Sequence, residues 1–131
     1  MIKKLTPVLY VEAIEPCLDL WVNRLGFTKS VEVPEGDRLG FVILTKGDVE
    51  IMYQSRASVA KDVPSFAKRS LGQTNLFVEV SDLAATERAL DGMKVILPKR
   101  ATFYGATEIG FQDPAGNIIV FAQMAVGGPS A

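Results

Sequence analysis

The chain has 131 residues, 48% hydrophobic and 22% charged, with a formal net charge of −1, the composition of a globular protein long enough to bury its own core. Its lysines and arginines are scattered rather than striped and no apolar run approaches a membrane span, so neither nucleic acid nor membrane is an expected partner. It contains no histidine, which removes the commonest metal ligand and the usual acid–base side chain near neutral pH.

The start, Met1-Ile2-Lys3-Lys4-Leu5, lacks the long apolar stretch of a secretion signal. Residues 5–12 alternate as a first strand, with Leu5, Leu9 and Val11 pointing one way and Thr6, Val8, Tyr10 and Glu12 the other. A helix is predicted from Ile14 to Leu25. Pro16 suits its first turn, where no N–H is needed, and Ile14, Cys17, Leu18, Trp21 and Leu25 form one apolar stripe. On that stripe Trp21 reads as core and Cys17 as a buried neutral thiol. As the lone cysteine, Cys17 forms no internal disulfide, which fits a cytoplasmic location. Gly26 supplies the left-handed residue that ends the helix, and Phe27 can fold back onto its last turn. Three strands follow, Phe27–Val33, Leu39–Leu44 and Val49–Gln54, joined by turns at Pro34-Glu35-Gly36-Asp37 and Lys46-Gly47-Asp48.

Residues 55–73 are polar and show no sustained period, so they read as a connector with one short helical turn near 65–70. Then the opening pattern returns. Asn75–Val80 alternates, Ser81 or Asp82 caps a helix through Leu90, and Gly92 closes it. Val95–Leu97 is a short strand and Pro98–Gly105 a loop. Ala106–Gln112 and Asn117–Gln123 form a hairpin about Asp113-Pro114-Ala115-Gly116, where Asp, Pro and Gly suit a type I turn. Asp113 is thereby a turn residue rather than a catalyst, and residues 124–131 read as a frayed tail.

Val11-Glu12-Ala13-Ile14 aligns with Val80-Ser81-Asp82-Leu83 at an offset of 69. The chain, 1–131, is therefore expected to be one domain of α+β class, with module 1 at 5–54 and module 2 at 74–123. Two tandem βαβββ modules imply curled mixed sheets around a concave cavity, with helices on the outer face. Such clefts are default ligand sites.

The step Trp21…Leu25-Gly26-Phe27, the opening Phe77-Val78-Glu79-Val80…Asp82-Leu83 and the turn Asp113-Pro114…Gly116-Asn117 carry a resemblance. In this order, over residues 5–123, the chain resembles the vicinal oxygen chelate superfamily, which includes glyoxalase I, extradiol dioxygenases, fosfomycin-resistance enzymes and bleomycin-resistance proteins. In metal-dependent members the resemblance implies a divalent ion held by His, Glu or Gln from the inner strands of both modules. The matching positions here are Thr6, Asn75 and Val120. A hydroxyl, an amide and an isopropyl group do not replace two imidazoles and a carboxylate, so no metal or other cofactor is expected. The bleomycin-resistance branch is the most similar in character. It implies a metal-free homodimer that sequesters a small organic molecule.

Parity groups Glu79 with Asn75 and Phe77, Glu50 with Met52 and Gln54, and Tyr10 with Thr6 and Val8. Tyr10, Glu50, Met52, Phe77, Glu79 and Tyr104 are the candidate ligand-binding residues, a lining suited to a flat or apolar molecule. Tyr104 joins them because loops at a cavity mouth often carry specificity. Glu50 and Glu79 are also catalytic candidates if the chain is a lyase, isomerase or dioxygenase-type enzyme, metal-free or with a relocated metal. The alternative is that both are polar wall or rim residues. A third reading, a partner-binding module without a small ligand, calls for a large exposed apolar patch.

Overall fold

A computed structural model, described over residues 1–125, arranges the alternating segments as eight strands in two sheets. One sheet lies in the compact unit Met1–Gly72 and the other in the unit that begins at Gln73. Strands β1 (Val8–Val11), β2 (Thr28–Glu35), β3 (Arg38–Lys46) and β4 (Val49–Ser55) stand in the order β1-β4-β3-β2. Strands β5 (Asn75–Glu79), β6 (Val95–Ala101), β7 (Ala106–Gln112) and β8 (Ile118–Met124) stand in the equivalent order, β5-β8-β7-β6. In each sheet the first strand runs parallel to the last, and the other neighbours are antiparallel. The predicted repeat is present: adding 69 to the ends of β4 gives 118 and 124, the ends of β8. Both sheets are open and mixed, and the class is α+β as expected.

In the first unit Leu9, Val11, Val42, Leu44, Ile51 and Tyr53 share one face and are at most 3% exposed. Their cover departs from the predicted α-helix. A 3-10 turn, Glu15–Cys17, leads into a π-helix, Asp19–Arg24. The wider turn ends with Leu25 N–H donating to the Leu20 carbonyl at 3.0 Å. It brings Leu20 inward with Ile14, Cys17 and Trp21, all buried, and leaves Leu18 only half-buried. Trp21 Nε1 donates to the Tyr53 hydroxyl at 2.8 Å, so helix and sheet share a buried hydrogen bond as well as apolar contact. Gly26 is left-handed at φ 75°, and Phe27 folds back edge-on to Trp21 with ring centroids 5.1 Å apart. Leu5, predicted to face inward, is exposed because β1 begins only at Val8.

The predicted connector contains a helix that periodicity did not reveal. Helix α1 (Arg56–Asp62) follows β4 directly, capped by Ser55, whose Oγ accepts from Ser58 N–H at 3.2 Å. Only Val59 of its residues is buried, so no apolar stripe marks it. A 3-10 turn at Pro64–Phe66 follows, close to the helical turn expected at 65–70. Pro34 and Pro98, read as turn and loop residues, instead sit in the edge strands β2 and β6 beside register shifts. A missing N–H is tolerated at such an edge.

In the second unit Ile109, Phe111, Ile119 and Phe121 are buried on one face, with Leu83 and Leu90 from the helical segment beside them in the core. Helix α2 (Leu83–Ala89) is capped by Asp82, whose side chain accepts from Ala85 N–H at 3.1 Å. Leu83 N–H donates to Gln123 Oε1 at 2.7 Å and fastens the helix to β8. The turn between β7 and β8 is built on Asp113 Oδ1, which accepts from Ala115 N–H at 2.9 Å and Asn117 N–H at 2.8 Å. Burial raises the Asp113 pKa, and these backbone bonds oppose it. Asn117 Oδ1 accepts from Thr74 N–H at 3.0 Å, tying the turn to the residue before β5. Strand β6 continues to Ala101 rather than ending at Leu97, and β8 takes in Met124, assigned above to the tail. The rest of that tail, 126–131, lies outside the described residues.

Tyr53→Phe leaves the buried Trp21 indole without its acceptor and should cost about 1–3 kcal/mol in urea denaturation. A loss below about 0.5 kcal/mol would show that this bond contributes little to the joint between helix and sheet.

Candidate functional site

Strand register decides which side chains share a face, and it does so separately in each unit. In the first, the face opposite Trp21 carries Val8, Met52 and Ile43 in one row and Tyr10, Gln54 and Phe41 in the next. Glu50 stands beside Thr45 on the same face. The predicted Tyr10, Glu50 and Met52 are therefore brought to one surface. Phe66, delivered by the 3-10 turn, lies 6.5 Å from the Tyr10 ring between centroids.

Glu50 is already engaged. Lys4 Nζ stands 3.0 Å from Oε1 and 3.1 Å from Oε2, and Thr6 Oγ1 donates to Oε1 at 3.1 Å. The bond from Lys4 is the largest influence on this carboxyl and, with that from Thr6, outweighs desolvation and holds its pKa low. An ionised, paired Glu50 is suited to orienting a ligand and unsuited to donating a proton near neutral pH.

In the second unit, the face opposite the apolar core carries Phe77, Val120, Gly110 and Leu97 in one row. The next row is Glu79, Ala122, Glu108 and Arg100. Phe77 and Glu79 therefore share a face, as parity predicts. Tyr104, from the turn before β7, places its ring 6.3 Å from that of Phe77 and donates its hydroxyl hydrogen to Glu108 Oε1. Arg100 Nη2 lies 3.5 Å from Glu108 Oε2. The turn is held by Thr102, whose N–H donates to the Ala106 carbonyl at 2.8 Å and whose Oγ1 accepts from Ala106 N–H at 2.9 Å. The bond to Glu108, followed by desolvation, raises the Tyr104 pKa, so the phenol keeps its proton across the ordinary pH range.

Glu108 is absent from the predicted set, yet it is the carboxylate that this face buries, at 3% exposure. Its signal in the sequence is faint. It is one charged residue inside the run Ala106–Gln112, of the same parity as Gly110 and Gln112, with a tyrosine four residues before it. Its register partner on β8 is Ala122, whose methyl group leaves room beside the carboxylate. Only the pairing of β7 with β8 brings that fact into view.

Asn75 and Val120, two positions matched to family metal ligands, are on this same face, and Val120 offers no donor atom. Thr6, in the other unit, gives its hydroxyl hydrogen to Glu50. Among the described residues no three of His, Cys, Asp and Glu gather as a metal site would require. The second face thus offers aromatic surface and hydrogen-bond acceptors, the means of holding an organic molecule.

Residues 4–121 match the family model described as Glyoxalase/Bleomycin resistance protein/Dioxygenase superfamily. No curated protein matches the chain by sequence. Among solved structures the chain is similar to lactoylglutathione lyase from Agrobacterium tumefaciens, with TM-score 0.72, 14% identity and 92% of each chain covered. It is similar to the bleomycin resistance determinant encoded on transposon Tn5, with TM-score 0.68, 17% identity, and 95% of this chain and 100% of that one covered. The bleomycin-binding protein of bleomycin-producing Streptomyces verticillus, solved with copper(II)-bleomycin, gives TM-score 0.62 and 24% identity, covering 96% of this chain and 100% of that one. Likeness at these identities speaks to fold, and fold alone does not carry activity. No helix among the described residues is long and apolar enough to cross a membrane.

Lys4→Met should let the Glu50 carboxyl titrate closer to the ordinary carboxylate range, as read by carboxyl-carbon NMR. A lowered pKa contributes stability above the ordinary carboxylate value and loses it as pH falls through the lowered one. The substitution should therefore also flatten the acid limb of the stability curve. An unmoved Glu50 titration would contradict the assignment to Lys4.

Proposed function

The chain belongs to the glyoxalase/bleomycin resistance protein/dioxygenase superfamily, and from that premise we propose that it is a metal-free small-molecule-binding protein. The candidate contacts for an organic ligand are, within the first unit, the sheet face that carries Tyr10, Glu50 and Met52 and, within the second, the face that carries Phe77 and Glu79 with Tyr104 beside it. The observation that carries this reading is chemical. A chain without histidine, with Thr6, Asn75 and Val120 at the positions matched to metal ligands, lacks the donors that the family's divalent-ion chemistry uses. These residues do not fit the metal. Two structural neighbours named for bleomycin resistance or bleomycin binding support a small organic ligand. Exposed Phe77 and half-buried Tyr10, Met52 and Tyr104 suit one with flat or apolar surface. The proposal includes a homodimer in the cytoplasm, a setting compatible with a lone buried cysteine.

The second reading is an enzyme of the lyase, isomerase or dioxygenase type, supported by the likeness to lactoylglutathione lyase. Of its two candidate carboxylates, exposed Glu79 is the better placed, because Glu50 is held ionised by Lys4 and Thr6.

Native mass spectrometry of the untagged protein from its own host separates the two readings. The expected result is a dimer that carries an extra organic mass and no metal ion. One metal ion per chain would contradict the binding proposal. So would turnover of the bound compound that is lost in Glu79→Gln while folding is intact.

A further inference from the structure

The hydrogen bond between Tyr104 and Glu108 has a direction, and the direction limits what the second sheet can bind. A phenol has one proton. Here Tyr104 gives it to Glu108 Oε1, so towards any ligand the phenol oxygen can only accept. Glu108, as a carboxylate, can also only accept. Glu79, on the same row across the small side chain of Ala122, adds a further acceptor group at the β5 edge. The donor in this row is Arg100, which approaches Glu108 Oε2 from β6, on the far side of β7 from Phe77. Aromatic surface adjoins these acceptors: Phe77 is 53% exposed and Phe103 fully exposed, each with its ring against that of Tyr104.

We infer that Tyr104 and Glu108 form an acceptor-only recognition site that selects ligands carrying an O–H or N–H donor on a flat apolar body. The site disfavours carboxylates and other organic anions, which would meet the like charge of Glu108 and Glu79, while Arg100, the donor of the row, is drawn to Glu108 on the side away from Phe77. This inference rests on the small-molecule reading and deepens it by naming the class of ligand. Glu108 acts here as a positioning residue. Buried and hydrogen-bonded, it fixes the orientation of the phenolic O–H and so decides which hydrogen-bonding partner Tyr104 accepts. The raised pKa of the Tyr104 phenol supports the same arrangement, since the proton stays on the phenol and is shared with the carboxylate. Replacing Glu108 by glutamine supplies an amide that can donate to Tyr104. The phenol proton is then free to turn towards the ligand, and the selection between donors and acceptors relaxes.

The test uses three probes of nearly equal size: phenol, which has a donor, anisole, which lacks one, and benzoate, an anion. Each is titrated into the whole protein, and amide shifts of Phe77, Tyr104 and Ala122 are followed by NMR. Phenol should bind at these residues roughly tenfold more tightly than anisole, the worth of one well-placed hydrogen bond, and benzoate should not shift them. In Glu108→Gln the preference for phenol over anisole should shrink to less than about threefold, with the amide spectrum showing an intact fold. Tyr104→Phe should lose the preference while still binding anisole. Equal binding of phenol and anisole to the wild-type protein, or benzoate shifting the same amides, would overturn the inference. Phenol shifts confined to Tyr10 and Met52 would overturn it too, while leaving the proposal of small-molecule binding standing.

Discussion

The hydrogen bond from Thr74 N–H to Asn117 Oδ1 fixes where β5 begins relative to β8. Side chains on a strand alternate, so a slip of one residue between these strands would exchange the two faces of β5. Phe77 and Glu79 would then turn towards the core, and Leu76 and Val78 would turn away from it. The constraint is reinforced by Asp113, which gathers the amides of Ala115 and Asn117 and so presents the Asn117 side chain to Thr74. The turn thereby settles which residues of β5 face away from the core. In the first unit the corresponding work falls to a different contact. Trp21 reaches Tyr53 on β4 through a buried hydrogen bond, and that contact marks the core face of the sheet.

Much of this was legible because strand parity is a property of sequence. The sharing of a face by Phe77 and Glu79, and by Glu50 and Met52, follows from counting residues, and the register agrees. The tandem repeat was legible for a related reason: the same alternation followed by the same cap recurs 69 residues on. What escaped has physical causes. A π-helix departs from 3.6 residues per turn, so the stripe drawn at that spacing puts Leu18 in the inward place that Leu20 holds. Helix α1 buries only Val59 and is held by its Ser55 cap, so composition made it look like a linker. Glu108 was hidden because its importance depends on two partners, Tyr104 and Ala122, and the latter is known only once β7 and β8 are paired.

The two sheets share a plan but differ in chemistry. On the first, Glu50 is neutralised by Lys4 and its lowered pKa keeps it ionised, with Tyr10 and Met52 nearby on the same face. On the second, Glu108 is buried and satisfied mainly by a phenol, with exposed aromatic surface around it. Both arrangements present oriented acceptors beside apolar surface. A fold whose relatives include both lyases and drug-binding proteins leaves the decision to such side chains.

The central claim is that binding proceeds without a metal ion, and it is tested most directly by calorimetric titration of phenol before and after EDTA treatment, with metal content measured on the same samples. The account predicts the same affinity in both, with no stoichiometric metal in either. Binding that disappears with EDTA and returns on adding Zn²⁺ or Mn²⁺ would contradict it.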